Sequence, residues 1–320
     1  MNEIFSKIQE MGIVPVVKID DPANAVPLAE ALKDGGLPCA EITFRTAAAR
    51  ESMQRINAKL PDIFMGAGTV LTTEQVDLAI DSGAKFIVAP GFNPAVVAYC
   101  NKKGIPVIPG CSTPSDMEKA IEAGLEVVKF FPAEESGGLA YIKAVSAPYT
   151  TLKFIPTGGV NADNLNTYLA FNRIIACGGS WMVKADLINE GRFDEIRRLT
   201  KEAISAMLGF RLTHLGINTK NEDEAMKVAG LWEELFNFQA KPGSNSVFSG
   251  TGFEQMKSPY LGEHGHIAIG TFHVNRAIAY LKRMGFEFKP ETAKTNDKGE
   301  TTVIYLKDEI AGFAVHLIKI

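Results

Sequence analysis

The sequence predicts an α/β fold: a (β/α)8 TIM barrel followed by an α+β domain of two βαβββ modules. Three observations carry the prediction. Between about residues 13 and 180, eight short runs rich in Val, Ile and Phe alternate with helix-patterned stretches. The runs start roughly 20 to 27 residues apart, the length of one βα unit. After residue 208 the rhythm changes to strand, helix and three strands, written twice. The 320-residue chain is therefore read as a barrel over 1–208 and a second domain over 211–320, with the boundary near Gly209. No Pro- or Ser-rich linker separates them, which predicts a docked rather than a tethered second domain.

The eight barrel runs are 13–19, 39–44, 64–70, 86–91, 106–111, 127–132, 154–159 and 174–180. None has a clean polar alternation, as expected of strands covered on both faces. The stretches between them read as helices. AVPLAEALKDGG has apolar residues at i, i+3 and i+4 and a glycine stop, while TTEQVDLAIDSGA and TPSDMEKAIEAGL open on capping residues and close at Gly83 and Gly124. Eight such units favour a closed barrel over an open doubly wound sheet. The lack of G-x-G-x-x-G after the first run also weighs against a dinucleotide fold.

FDEIRRLTKEAISAMLGF is the last barrel helix. RLTHLGINT then reads as a strand, EDEAMKVAGLWEELF as a helix, and short strand-like runs continue to about 257. The second round is GHIAIGTF, VNRAIAYLKRMGF, FEFKP, TTVIYLK and GFAVHLIKI. Trp232 and Phe236 fall at i, i+4 and are expected in the core.

Composition removes several classes. Hydrophobic residues make up 46% and charged residues 22% of the chain, which describes a folded globular protein rather than a disordered one. No run of 18 apolar residues is present, so no membrane-spanning helix is read. The first residues show no secretory pattern, so a cytoplasmic location is expected. A net charge of −4 gives no basic footprint for nucleic acid. Cys39, Cys100, Cys111 and Cys177 are widely spread and form no C-x-x-C pair, which predicts reduced thiols.

Barrel active sites lie at the C-terminal ends of the strands, so polar residues there are read separately. They are Lys18, Glu41 with Arg45, Thr69, Lys129, Pro156-Thr157-Gly158-Gly159 and Gly178-Gly179-Ser180. Lys129 is the sharpest. A lysine between Val128 and Phe130 is costly to bury as an unpaired cation, and burial favours the neutral amine, a nucleophile toward ketones. A structural ion pair with Glu41 accounts for it equally. Glu41 itself suits a general base or a salt bridge, and Arg45 suits bidentate binding of a carboxylate. The glycines after the last two strands suit a phosphate, aided by a helix expected from about Asn161, or simply two tight turns.

Residues 1–208 resemble the bacterial 2-dehydro-3-deoxy-6-phosphogluconate (KDPG) / 4-hydroxy-2-oxoglutarate (KHG) aldolases, a class I aldolase family with a (β/α)8 fold. The matching motifs are Glu41-Ile42-Thr43-Phe44-Arg45-Thr46, Gly66-Ala67-Gly68-Thr69-Val70, Lys129-Phe130-Phe131-Pro132-Ala133, Pro156-Thr157-Gly158-Gly159 and Gly178-Gly179-Ser180-Trp181. The resemblance implies that Lys129 forms the Schiff base and that Glu41 is the general acid/base. It implies Arg45 and Thr69 on the substrate carboxylate, and Pro90, Phe131 and Thr157 in the pocket. Gly158, Gly159, Ser180 and Lys18 are implied on the phosphate, although Lys18 stands where the family commonly has Arg. Ala89 replaces a more usual Ser. The substrate implied is a small keto acid, no cofactor is required, and a homotrimer is expected. The competing readings are another phosphate-binding barrel, such as an isomerase or a thiamin-phosphate-synthase-like enzyme, and a ligand-binding or regulatory protein with an idle barrel.

The doubled pattern of 211–320 resembles the vicinal-oxygen-chelate (glyoxalase/bleomycin-resistance) superfamily in architecture and a few residues. All five histidines lie in this part. His214 and His266 open the two modules in equivalent positions, and Glu254 and His316 lie in candidate final strands. The resemblance implies that this set could hold a divalent metal. His316 stands where that superfamily usually has Glu. A metal-free ligand-binding or assembly module is the first reading of the domain, and a metal site the second.

Overall fold

A computed structural model describes residues 2–320. The chain forms two compact units that part between Met207 and Leu208.

The first unit opens with a helix that the strand–helix rhythm did not foretell, α1 (Glu3–Met11). The Asn2 side chain caps it by accepting from the Ile4 N–H, and Gly12 ends it in the left-handed conformation at φ 69°. Phe5, Ile8 and Met11 form its buried face.

Eight strands follow: β1 (Ile13–Val17), β2 (Cys39–Thr43), β3 (Phe64–Gly68), β4 (Ile87–Val88), β5 (Val107–Ile108), β6 (Val127–Phe130), β7 (Lys153–Pro156) and β8 (Cys177–Gly179). The helices between and after them are α2 (Ala25–Asp34), α3 (Ala49–Lys59), α4 (Thr73–Asp81), α5 (Pro94–Lys103), α6 (Pro114–Glu122), α7 (Gly138–Ser146), α8 (Leu165–Leu169), α9 (Ala185–Asn189) and α10 (Phe193–Leu208). All strand pairs are parallel, in the order β5-β4-β3-β2-β1-β8, with β6 and β7 paired separately. Single bridges, Gly110 with Lys129 and Thr157 with Gly178, complete the ring. This is the eight-stranded barrel that the periodicity predicts.

Local chemistry explains the helix starts. Thr72 accepts from the Gln75 N–H at α4, and Thr113 and Asp116 form a reciprocal capping box at α6. At α5, Asn93 caps and Pro94 occupies the first turn. Two boundaries differ from expectation. The strands end earlier than the apolar runs, because residues such as Thr69, Pro90 and Phe131 leave the sheet to form the mouth. The helix expected from Asn161 begins at Leu165. Asn161 and Asn164 instead fold a turn, both donating side-chain N–H groups to Gly159 O.

One glycine is essential to closure. A Cβ added at Gly110 would lie 1.9 Å from the backbone oxygen of Pro90, whereas one at Gly91 would meet nothing within 4 Å. Backbone cannot swing aside as a side chain can. Gly110→Ala is expected to cost about 3 kcal/mol in urea unfolding, while Gly91→Ala stays near wild type. Equal stability of the two variants would contradict this.

All four cysteines are buried thiols. Burial pushes the Cys100 thiol up to about 11. Burial, with Asp116 adding to it, pushes Cys111 up to about 12. Only thiolates attack disulfide reagents. The folded chain is therefore expected to ignore such a reagent at mildly alkaline pH and to react at all four cysteines once denatured. Stoichiometric labelling of the native protein would count against it. Among the described residues, no helix is long and apolar enough to cross a membrane.

The second unit contains β9 (Arg211–Asn218), α11 (Glu222–Phe236), β10 (Ala240–Pro242), β11 (Ser246–Ser249), β12 (Phe253–Met256), β13 (Gly265–Thr271), α12 (Val274–Arg283), β14 (Phe288–Thr295), β15 (Thr301–Leu306) and β16 (Phe313–Lys319). They form one eight-stranded sheet, β10-β11-β12-β9-β13-β16-β15-β14. The two modules meet where β9 and β13 pair antiparallel, and each of these runs parallel to the last strand of its own module. One expectation fails here. Phe236 is 55% exposed. Trp232 is half-buried, stacking on Phe253 at 4.4 Å. The buried face of α11 is instead the small pair Ala225 and Ala229, packed on Val247.

Candidate active site

Lys129 on β6 and Glu41 on β2 meet inside the barrel. They are 88 residues apart in sequence, yet Lys129 Nζ lies 3.3 Å from Glu41 Oε1. Both are buried, at 5% and 3% exposure. Thr157 shares their interior space, whose remaining lining is apolar and includes Ile8, Phe86 and Ile155. The Phe131 ring covers the ammonium, its centroid 5.5 Å from Nζ.

Glycines make room for this pair. A Cβ at Gly68 would fall 2.2 Å from Glu41 Oε1, and one at Gly178 would fall 2.3 Å from Thr157 Oγ1. Neither glycine was singled out from the sequence for this role, because the need arises across strands. Register carries the one available signal, since Glu41 faces Gly66 on β3 and Thr43 faces Gly68.

Thr69 follows Gly68 with φ 56°. A β-branched residue in the left-handed region is strained, by about 1–3 kcal/mol, and such strain clusters at functional sites. Its Oγ1 accepts from Arg45 Nε at 3.3 Å. Arg45 is exposed, so a guanidinium and a hydroxyl stand together at the mouth, suited to a carboxylate. Pro90 is also exposed at the rim.

After β7 the chain turns through Gly158 (φ 98°) and Gly159 (φ 76°), conformations that favour glycine. Thr157 O accepts from Ala133 N–H and Gly158 O from Glu134 N–H, tying the turn to the segment after Lys129. Glu134 packs against Gly159 and accepts a hydrogen bond from Tyr168. Ser180 is exposed at the end of β8. Lys18 is exposed, and its ammonium is paired with Asp20 at 2.7 Å rather than with the glycine turn.

A buried amine beside a carboxylate, with anion-binding groups at the rim, is equipped for imine chemistry. The sequence model of the family described as KDPG and KHG aldolase matches residues 4–199. The chain belongs to this aldolase family. A 2-dehydro-3-deoxy-phosphogluconate aldolase of Treponema pallidum is 47% identical over 204 residues, 64% of this chain and 97% of that protein. A KHG/KDPG aldolase of Escherichia coli is 38% identical, covering 60% of this chain and 90% of its own. The structure of a KDPG aldolase from Legionella pneumophila, with pyruvate captured as a covalent carbinolamine, superposes with a TM-score of 0.61. It is 33% identical and covers 63% of this chain and 98% of that one. The aldolase match stops short of the second unit.

That unit carries its own cluster. His214 on β9 and His316 on β16 both stand opposite Ala268, and His266 on β13 stands opposite Gly216. One ligand atom from each imidazole lies within 4.8 Å of the others. Glu254 on β12 touches two of the three histidines. Its Oε2 is 3.1 Å from His214 Nε2 and 3.1 Å from His266 Nε2, and the two nitrogens are 3.2 Å apart. Ser246 Oγ holds the other carboxylate oxygen at 2.6 Å. Gly216 leaves space for the His266 ring, since a Cβ there would fall 2.1 Å from it.

With Glu254 ionised, protons alone do not satisfy this triangle. If both imidazoles donate to Glu254, their N–H groups face each other. If one donates to the other, a nitrogen lone pair faces the carboxylate. A central cation removes the conflict by taking a lone pair from all three. Ligands about 2.0–2.1 Å from a tetrahedral zinc-sized ion stand roughly 3.3 Å apart, close to the spacings found. His266 Nδ1 is buried without a partner. Burial pushes the Glu254 carboxyl up, but hydrogen bonds from His214, His266 and Ser246 outweigh it and hold the group well below the usual carboxylate range. Burial, then the neighbouring His266 and His214, lowers His316 to about 4. These donors fit a divalent metal. The signals legible in sequence were the equivalence of His214 and His266 and the place of Glu254 and His316 in candidate final strands; Ser246 and Gly216 gave none.

Proposed function

We propose that the barrel cleaves 2-keto-4-hydroxy acids by a Schiff-base mechanism. The substrates are 2-dehydro-3-deoxy-6-phosphogluconate, giving pyruvate and glyceraldehyde 3-phosphate, and 4-hydroxy-2-oxoglutarate, giving pyruvate and glyoxylate. The observation that carries this is the buried Lys129–Glu41 contact of 3.3 Å in a chain of this aldolase family. Lys129 attacks the C2 ketone, and loss of water gives an iminium. The C3–C4 electron pair then moves toward the iminium nitrogen as Glu41, directly or through water, takes the C4 hydroxyl proton. The aldehyde leaves and an enamine remains. Glu41 returns a proton to C3, and hydrolysis frees pyruvate and the lysine.

In this reading Arg45 and Thr69 hold the substrate carboxylate, and Thr157, Phe131 and Pro90 shape the pocket. Gly158, Gly159 and Ser180 take the phosphate. Lys18 is the least supported of the phosphate set, being paired with Asp20. No cofactor is needed for this route. A homotrimer is supported by family resemblance, and a reducing cytoplasmic setting by the four buried thiols. The test is pyruvate release from both substrates. The phosphorylated acid is expected to have the higher kcat/KM, by about tenfold or more, because a remote phosphate supplies orientation. No pyruvate from either substrate would refute the assignment.

We also propose, over the metal-free reading, that His214, Glu254, His266 and His316 hold a divalent metal. The triangle of 3.1, 3.1 and 3.2 Å favours it. When bound, such an ion acts as a Lewis acid on an oxygen ligand. Ser246 orients Glu254 for it, and Gly216 admits the His266 ring.

A further inference from the structure

We infer that the His214–Glu254–His266–His316 centre, once metal-loaded, binds a small monocarboxylate as an additional ligand. This rests on the metal reading above. Three neutral imidazoles and one carboxylate offset only one of the two charges on a divalent ion, so the loaded centre keeps a net charge of +1. A second carboxylate in place of His316 would bring it to zero. Tyr305 also stands beside the cluster, its ring centroid 4.7 Å from that of His316. As a phenol it carries no charge at neutral pH.

A residual charge is expensive here. His266 is 3% and His316 4% exposed. An unpaired charge in such surroundings is strongly disfavoured unless a counter-ion joins it. The centre is least covered at Glu254, whose side chain keeps 16% of its surface, against 9% for that of His214. Ala268, Ala314 and Gly216 are the small residues between the ligands on the strands. Phe248, 5.4 Å from His214, forms an apolar wall. Four protein donors leave room for one more in a five-coordinate ion. A monoanion with an oxygen donor brings the charge to zero, whereas a dianion would overshoot.

The test uses the full chain, stripped with a chelator and loaded with one equivalent of Co2+, whose visible bands report its ligands. Acetate is titrated in at constant ionic strength held with perchlorate. A saturable change of the Co2+ bands is expected. His316→Glu is expected to keep one equivalent of Co2+ but to bind acetate at least tenfold more weakly. His316→Gln, which leaves the charge at +1, is expected to keep the acetate response and serves if the Glu variant does not fold. Bound Co2+ whose bands ignore acetate would overturn the inference while leaving the metal reading intact. So would equal acetate affinity in His316→Glu, or tighter binding of inorganic phosphate than of acetate. Failure of the wild-type chain to take up Co2+ would overturn the metal reading itself.

Discussion

Lys129→Ala is expected to lower kcat/KM for aldol cleavage by about 10^4-fold or more, because it removes the nucleophile and with it the covalent route. Wild-type protein treated with pyruvate and borohydride is expected to gain one reduced pyruvate adduct on Lys129. The alanine variant should gain none. Lys129→Arg keeps a cation beside Glu41 but offers no neutral amine at working pH, so it should fail in the same way. That arm separates the nucleophile from the ion pair. If the lysine only balanced Glu41, arginine would preserve activity. Appreciable cleavage by either variant, or an adduct elsewhere in the chain, would defeat the Schiff-base assignment.

Gly68→Ala is expected to lower kcat by about 10^2-fold, through misplacement of a proton-transfer group. The new methyl would lie 2.2 Å from Glu41 Oε1, 2.7 Å from its Cγ and 2.8 Å from its Cδ. Glu41 has to yield, and the Oε1 atom that must move is the one that Lys129 holds at 3.3 Å. The nucleophile itself is untouched. Trapping of pyruvate by borohydride should therefore persist at a site where cleavage is slow. Trapping and cleavage measured on the same sample distinguish this from general unfolding, which would lose both. A variant with wild-type kcat would show that the position of Glu41 is unimportant to the rate-limiting step.

The barrel was legible because parallel strands covered on both faces leave uninterrupted apolar runs, and because their spacing matches one unit. Lys129 and Glu41 were legible for the same reason: each is a charge inside such a run. What spacing does not encode is contact across strands. The space that Gly68 gives Glu41, or Gly178 gives Thr157, exists only once registers are set. The left-handed Thr69 was likewise hidden, since nothing in its residue type favours that conformation. α1 lay before the first repeat and had no partner in the rhythm. The helix after β7 starts at Leu165 rather than near Asn161, because the Asn161 side chain closes a turn on Gly159. In the second unit, the doubled pattern gave the strands and the equivalence of two histidines. It did not give the environment of Phe236, because the i, i+4 spacing shared with Trp232 fits an outward aromatic stack as well as a core.

The ring closure at Lys129 has one more consequence. Its N–H donates to Pro109 O at 2.9 Å, and its carbonyl accepts from Cys111 N–H at 2.8 Å. The same residue fastens β6 to its neighbour and presents the reactive amine, but it does so with different atoms. The fastening is pure backbone and is indifferent to the side chain. Architecture and reactivity at this position are thus separately inheritable: a descendant could discard the amine, acquire another chemistry, and still close its barrel at the same place.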